Sequence, residues 1–116
     1  METVFIYIFG VLSGATAITD LVPTAKIFPV LAPQDTAGDF IVFNVSRESV
    51  LTKNGLSDYR VGIYGYLTDG LEAVRMADII EGVLSADRKF KLGSAEIEYQ
   101  DSMQKCELKL ILTFKN

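Results

Sequence analysis

Few residue groups in this chain have the types and spacing for chemistry. Glu96 and Glu98 stand two apart in an alternating stretch, with Asp101 close behind. A strand would send both carboxylates to one face, where they could hold a divalent cation. The preferred reading is a solvated strand face, because carboxylates belong at the surface. Arg60, Tyr64 and Tyr66 also share one strand face. They form either an aromatic–cation patch for a partner or a set of side chains packed beneath the helix that follows. Cys106, the only cysteine, opens the last strand among charges. A reactive thiol needs a basic, partly exposed setting. Only Lys105 offers one, and it points to the other face, so the thiol reads as inert. Val50 and Leu51 interrupt the polar stretch Glu48–Ser57, whose tip is Lys53-Asn54-Gly55. Apolar residues there suggest a partner-docking loop, against the plainer reading of a disordered one.

The absences exclude more. With no His, the chain can build neither a His-based triad nor a His-ligated zinc site. One Cys makes no internal disulfide and no multi-Cys metal site. Glycines 62, 65, 70, 82 and 93 are scattered and fit no phosphate-binding loop. Eleven Lys and Arg against fifteen Asp and Glu leave a net charge of −4, which argues against binding nucleic acid through its phosphates. No catalytic residue, cofactor or metal is expected.

The elements that must position these residues can be traced along the chain. A length of 116 residues fits one domain, 1–116, and 49% hydrophobic residues suffice for a core. Val4 to Phe9 is apolar, extended by Val11 and Leu12, and too short for a membrane span of about 20 residues. Ala15-Thr16-Ala17 looks like a signal cleavage site, but Glu2 stands where a signal peptide carries Lys or Arg, so a retained segment is expected. Its Val, Phe, Ile and Tyr residues favour a strand by local propensity, while a helix buried on most sides explains the same run.

Thr16–Val22 reads as a short helical turn closed by Pro23, and Lys26–Phe28 as a short extended piece before Pro29. Residues 30–38 read as a loop. Asp39–Arg47 reads as a strand that starts apolar on both faces, and so is either central in the sheet or covered on both sides. Asp58–Leu67 is its antiparallel neighbour. Asp69 caps a helix over about 71–86, with Ala73, Met76, Ala77, Ile80, Val83 and Leu84 at helical spacing. Two strands follow, one through Phe90–Gln100 and one ending at Phe114. The order predicts an α+β fold, a small antiparallel sheet with helices on one face.

The same order of signals resembles a phage family. Lys26-Ile27-Phe28-Pro29 precedes Ala32-Pro33-Gln34, and Phe40-Ile41-Val42-Phe43 leads to Ser46-Arg47-Glu48. Tyr59 through Tyr66 is the strand before Asp69-Gly70-Leu71-Glu72-Ala73, and Ala77 through Leu84 is the helix. The chain is similar in this pattern, from about residue 4 to 115, to the tail-completion proteins of long-tailed phages and prophages, also called tail-terminator or head–tail joining proteins. That resemblance implies an N-terminal helix, against local propensity. It implies a non-enzymatic structural protein with no cofactor, assembled as a homo-oligomeric ring with a hexamer favoured. Its partners would be the tail-tube and head-connector proteins, its place the virion tail, and its assembly the host cytoplasm.

Sequence-specific nucleic-acid binding and membrane binding are not expected. The net charge of −4 suits a channel that DNA crosses without sticking. The interaction residues expected on this reading are Val50, Leu51, Lys53, Asn54, Gly55, Arg60, Tyr64 and Tyr66. The alternative is a small soluble α+β module that binds a ligand or protein between helix and sheet.

Overall fold

The computed structural model describes residues 2–33, 36–51 and 57–115, apart from the side chains of 48–51 and 57. Helix α1 (Glu2–Gly14) and the single turn α2 (Thr16–Thr19) are followed by a 3-10 turn at Thr24–Lys26. Strands β1 (Ile27–Pro29), β2 (Phe40–Leu51) and β3 (Ser57–Leu67) come next, then helix α3 (Gly70–Ser85) and strands β4 (Phe90–Gln100) and β5 (Lys105–Lys115). The strands lie in the order β1-β2-β3-β5-β4. The fold is α+β, with a five-stranded, mostly antiparallel sheet.

Helix α1 forms although its residues favour a strand. Val4, Ile8 and Leu12 recur at i, i+4 and i+8 and are all buried. Phe5 and Phe9 pack on Phe43, with ring centroids 5.7 and 6.4 Å apart. Tyr7 meets Phe114 at 5.6 Å. Burial on most sides outweighs local propensity here. Helix α3 starts where the capping pattern places it, with Asp69 Oδ1 accepting from the Leu71 amide at 2.9 Å. Its Ala73, Met76, Ala77, Ile80 and Leu84 join α1 on one face of the sheet. Beneath them lie Ile41, Phe43, Val45, Val61, Ile63, Leu108, Leu110 and Leu112.

Two expectations are corrected. The sheet is not wholly antiparallel, because β1 pairs parallel to β2 with Ile27 opposite Ile41. A parallel pair needs a crossover, and residues 30–39 supply it. Strand β2 is central, between β1 and β3, as one of its two readings had it, and the helices lie on one of its faces. The link between β2 and β3 is shorter than Glu48–Ser57. The strand backbone continues to Leu51, which pairs with Ser57 across an irregularity that follows Arg47.

A polar contact ties α1 to the α3–β4 link. The Tyr7 hydroxyl donates to Asp87, whose other oxygen accepts from the Lys89 amide at 3.0 Å. The Lys89 ammonium lies 5.0 Å from the centre of the Tyr7 ring. These donors hold the Asp87 carboxyl below its ordinary range, the Tyr7 hydrogen bond foremost. A depressed folded-state pKa stabilises the fold above the unfolded value, and that stability is lost as pH falls through the folded one. Tyr7→Phe should therefore lower stability at neutral pH, and its deficit should shrink in acid unfolding series below the usual carboxylate range. Ile8→Ala should cost about 2–5 kcal/mol in urea unfolding. Ile6→Ala, on the exposed side of α1, should stay within about 0.5 kcal/mol of wild type.

Candidate functional site

Strand alternation commits the other half of β2 and β3 to the face away from the helices. There Phe40 pairs with Tyr66, Val42 with Tyr64, Asn44 with Gly62 and Ser46 with Arg60. Phe40 is buried without any helix over it. Tyr66 stacks on it at 4.9 Å, Phe28 meets it edge-on at 6.4 Å, and the Lys105 ammonium sits 5.1 Å from its ring centre. These aromatics cover one another on a sheet face that no second layer closes.

Residues 30–33 and Thr36 of the crossover lie over this same face. Its return is tied down by Lys26, which donates to the Ala37 carbonyl at 2.8 Å, and by Lys105, which donates to the Gly38 carbonyl. Asp39 accepts from the Thr68 amide and hydroxyl at 3.0 and 3.1 Å. Between crossover and sheet lies a hollow of about 610 Å³, with Phe40, Val42, Tyr64 and Tyr66 as its floor. Val30, Leu31, Met103 and Lys105 contribute to its walls. A second hollow of about 430 Å³ continues along Asn44, Ser46, Arg60 and Gly62. Tyr64 borders both, and its ring lies so close over Gly62 that a Cβ there would come within 2.9 Å of it. A side chain at position 62 would lift the ring off the sheet.

Among the described residues, the charged side chains bordering the two hollows are Lys105 and Arg60. Burial, a hydrogen bond to Glu107 and that carboxylate's charge hold the Tyr66 phenol well above its ordinary range. It therefore stays a neutral donor, unsuited to act as a base or nucleophile. The arrangement can bind an apolar or aromatic segment and counter negative charge at its margin.

Val30 marks this rim with backbone strain. Its φ is 68°, rare for a β-branched residue. The Leu31 amide donates to the Pro29 carbonyl at 2.7 Å across it. A positive φ bracketed by an i to i+2 hydrogen bond is the strained form of the γ-turn. The turn directs Val30 and Leu31 outward, 59% and 78% exposed.

The interaction residues expected from sequence divide as follows. Arg60, Tyr64 and Tyr66 come together on the open face. The alternative that the tyrosines pack under α3 is overturned, because α3 covers the opposite side. Val50 and Leu51 carry strand backbone at the end of β2. Lys53, Asn54 and Gly55 lie outside the described residues. Glu96 and Glu98 are exposed, with Glu96 opposite Lys109 on the neighbouring strand. Among the described residues, no group of three or more His, Cys, Asp or Glu is placed to hold a metal ion. No described helix is long and apolar enough to cross a membrane. Cys106 is half-buried against the core, on the helix side. Sequence reasoning missed Val30, Leu31, Met103 and Lys105. The available signal was an apolar Val-Leu pair between Pro29 and Pro33, in a segment otherwise read as plain loop.

No protein-family model matches the chain, and no curated protein matches it. Among solved structures, the fold is similar to that of a chain described as "Virion of native gene transfer agent (GTA) particle". The TM-score is 0.65 at 13% identity, over 93% of this chain and 90% of that one. At that identity the likeness is one of fold.

The strain at Val30 yields a stability prediction. Val30→Gly should relieve about 1 kcal/mol of left-handed strain at little cost in burial. The isolated subunit should then melt a few degrees higher in calorimetry.

Proposed function

We propose that this chain is a non-enzymatic structural protein of a phage or prophage virion, a single tail-completion-like domain over residues 1–116. It caps the tail tube as a homo-oligomeric ring, with a hexamer favoured, and mediates head–tail joining. The observation that carries this reading is the near full-length fold likeness to a chain of a virion particle. The open aromatic face supports it, since a ring subunit must keep apolar surface available for its neighbours. On this reading Arg60, Tyr64 and Tyr66 belong to the contact surface. The partners are other copies of the chain, the tail-tube protein and the head connector. The protein resides in the virion tail and assembles in the host cytoplasm.

A second reading has one observation in its favour. The hollow of about 610 Å³ falls within the range of small-molecule sites, roughly 300–1,000 Å³. A small soluble module that binds a ligand or a peptide there would remain monomeric.

Light scattering after size exclusion and negative-stain microscopy separate the two. The ring reading expects hexameric rings, or self-association that rises with concentration or on added tail tubes. It also expects tails of uncontrolled length, unjoined to heads, when the gene is deleted. A protein that stays monomeric even on tubes, together with normal particles from the deletion, overturns it.

A further inference from the structure

The large apolar side chains left exposed on this subunit are concentrated. Among the described residues, seven of the nine lie on two surfaces at opposite sides of the sheet. The first is the open-face groove, rimmed by Val30, Leu31 and Met103. The second is a flank where α3 fails to cover the outer strand. Ala95, Ile97 and Tyr99 of β4 pair with Leu110, Leu108 and Cys106, so they point to the helix side of the sheet. Yet Ile97 and Tyr99 are 41% and 55% exposed, while Leu108 and Leu110 are fully buried.

The helix explains the gap. Ile79 and Val83 lie on the flank of α3 that packs into the core. At 100° per residue, Val74, Asp78 and Glu81 fall on the opposite flank, and Val74 is 45% exposed. Leu71, at the start of the helix, is also exposed. The result is an apolar shelf beside two carboxylates.

We infer that the groove receives the α3–β4 flank of a second copy of this chain. Three observations commit the groove to that occupant. The two surfaces are complementary in form, one a hollow and the other a shelf edged by a helix. They are complementary in charge, since Lys105 and Arg60 border the hollows and Asp78 and Glu81 border the shelf. They also lie on opposite faces, so one subunit cannot bury both against itself. Head-to-tail pairing of unlike patches is the contact that closes rings. The strained turn at Val30 fits this role, because it holds two apolar side chains out where a neighbour covers them. The inference rests on the ring reading and specifies its interface.

Two experiments test it. In a Cys106→Ser background, Leu31→Cys chains are mixed with Val74→Cys chains and oxidised under mild conditions. The mixed disulfide dimer should exceed either homodimer by about tenfold, as the pairing raises the effective concentration of the two thiols. In the second, Leu31→Asp and Val74→Asp are made separately at these exposed positions, so the fold is spared. Each variant alone should lose assembly, with self-association weakened about 30-fold or more. A one-to-one mixture should yield a species of two subunits and nothing larger, because only one intact groove and one intact flank can meet. Wild-type rings with homodimers predominating in the crosslink, or either Asp variant assembling as wild type does, overturn the pairing and leave the ring reading standing. A wild-type protein that never assembles, even on tail tubes, overturns both.

Discussion

Helices α1 and α3 cover the same face of a five-stranded sheet, and side-chain alternation along each strand then assigns every residue to core or surface. The β2–β3 register is the constraint on which the rest depends. It sets Phe43 opposite Ile63 and Val45 opposite Val61 beneath the helices. A one-residue slip would turn the slipping strand's pair outward, Phe43 and Val45 of β2 or Val61 and Ile63 of β3, and a slip of β3 would bring Tyr64 and Tyr66 under α1 and α3. Phe43 resists that slip, because Phe5 and Phe9 of α1 close on its ring. The N-terminal helix thus helps decide what the far face of the sheet presents, although it never reaches that face.

What the far face presents is apolar chemistry with few handles for catalysis. Phe40, Tyr66 and Phe28 recover part of the burial that a second layer would have supplied, and Lys105 adds a cation over the Phe40 ring. Burial, and after it the engagement with the neighbouring Glu107 carboxylate, keeps the Tyr66 phenol neutral. The buried residues among those described are all apolar or aromatic, with no charged side chain inside. Binding energy at such a surface comes from area removed from water, at about 25 cal/mol per Å² before the costs of association.

Much of the fold was legible from periodicity. Asp69 with the Ala73–Leu84 stripe marked α3 to within a residue at either end, because a side-chain cap and a one-sided stripe are local signals. The alternation of β3 and β5 was equally plain. Helix α1 was not legible from propensity, since Val, Ile, Phe and Tyr adopt it only because other parts of the chain bury them. The apolar run left a helix buried on most sides open, and the family resemblance tipped the reading to it. The parallel pairing of β1 was hidden for a related reason, as three residues carry no direction of their own. Part of the candidate site was visible, because Arg60, Tyr64 and Tyr66 share a strand face whatever lies above them. Which face that was could not be read from β3 alone. The groove's other wall, Val30 and Leu31, stayed unseen because a γ-turn at a β-branched residue runs against every turn preference.

The outer strand β4 has a consequence for the subunit before it meets any partner. Its far edge carries unpaired backbone groups, which invite uncontrolled strand-to-strand polymerisation in a crowded solution. Several features blunt that edge. Lys91, Glu96 and Glu98 place charges along it. A bulge between Leu92 and Ser94 breaks the ladder at Gly93, where the backbone approaches the Ile111 carbonyl so closely that a Cβ would lie 3.0 Å from it. Kinked and charged, the edge is a poor template for another strand. Strand-to-strand pairing, the usual seed of fibres, finds little purchase there.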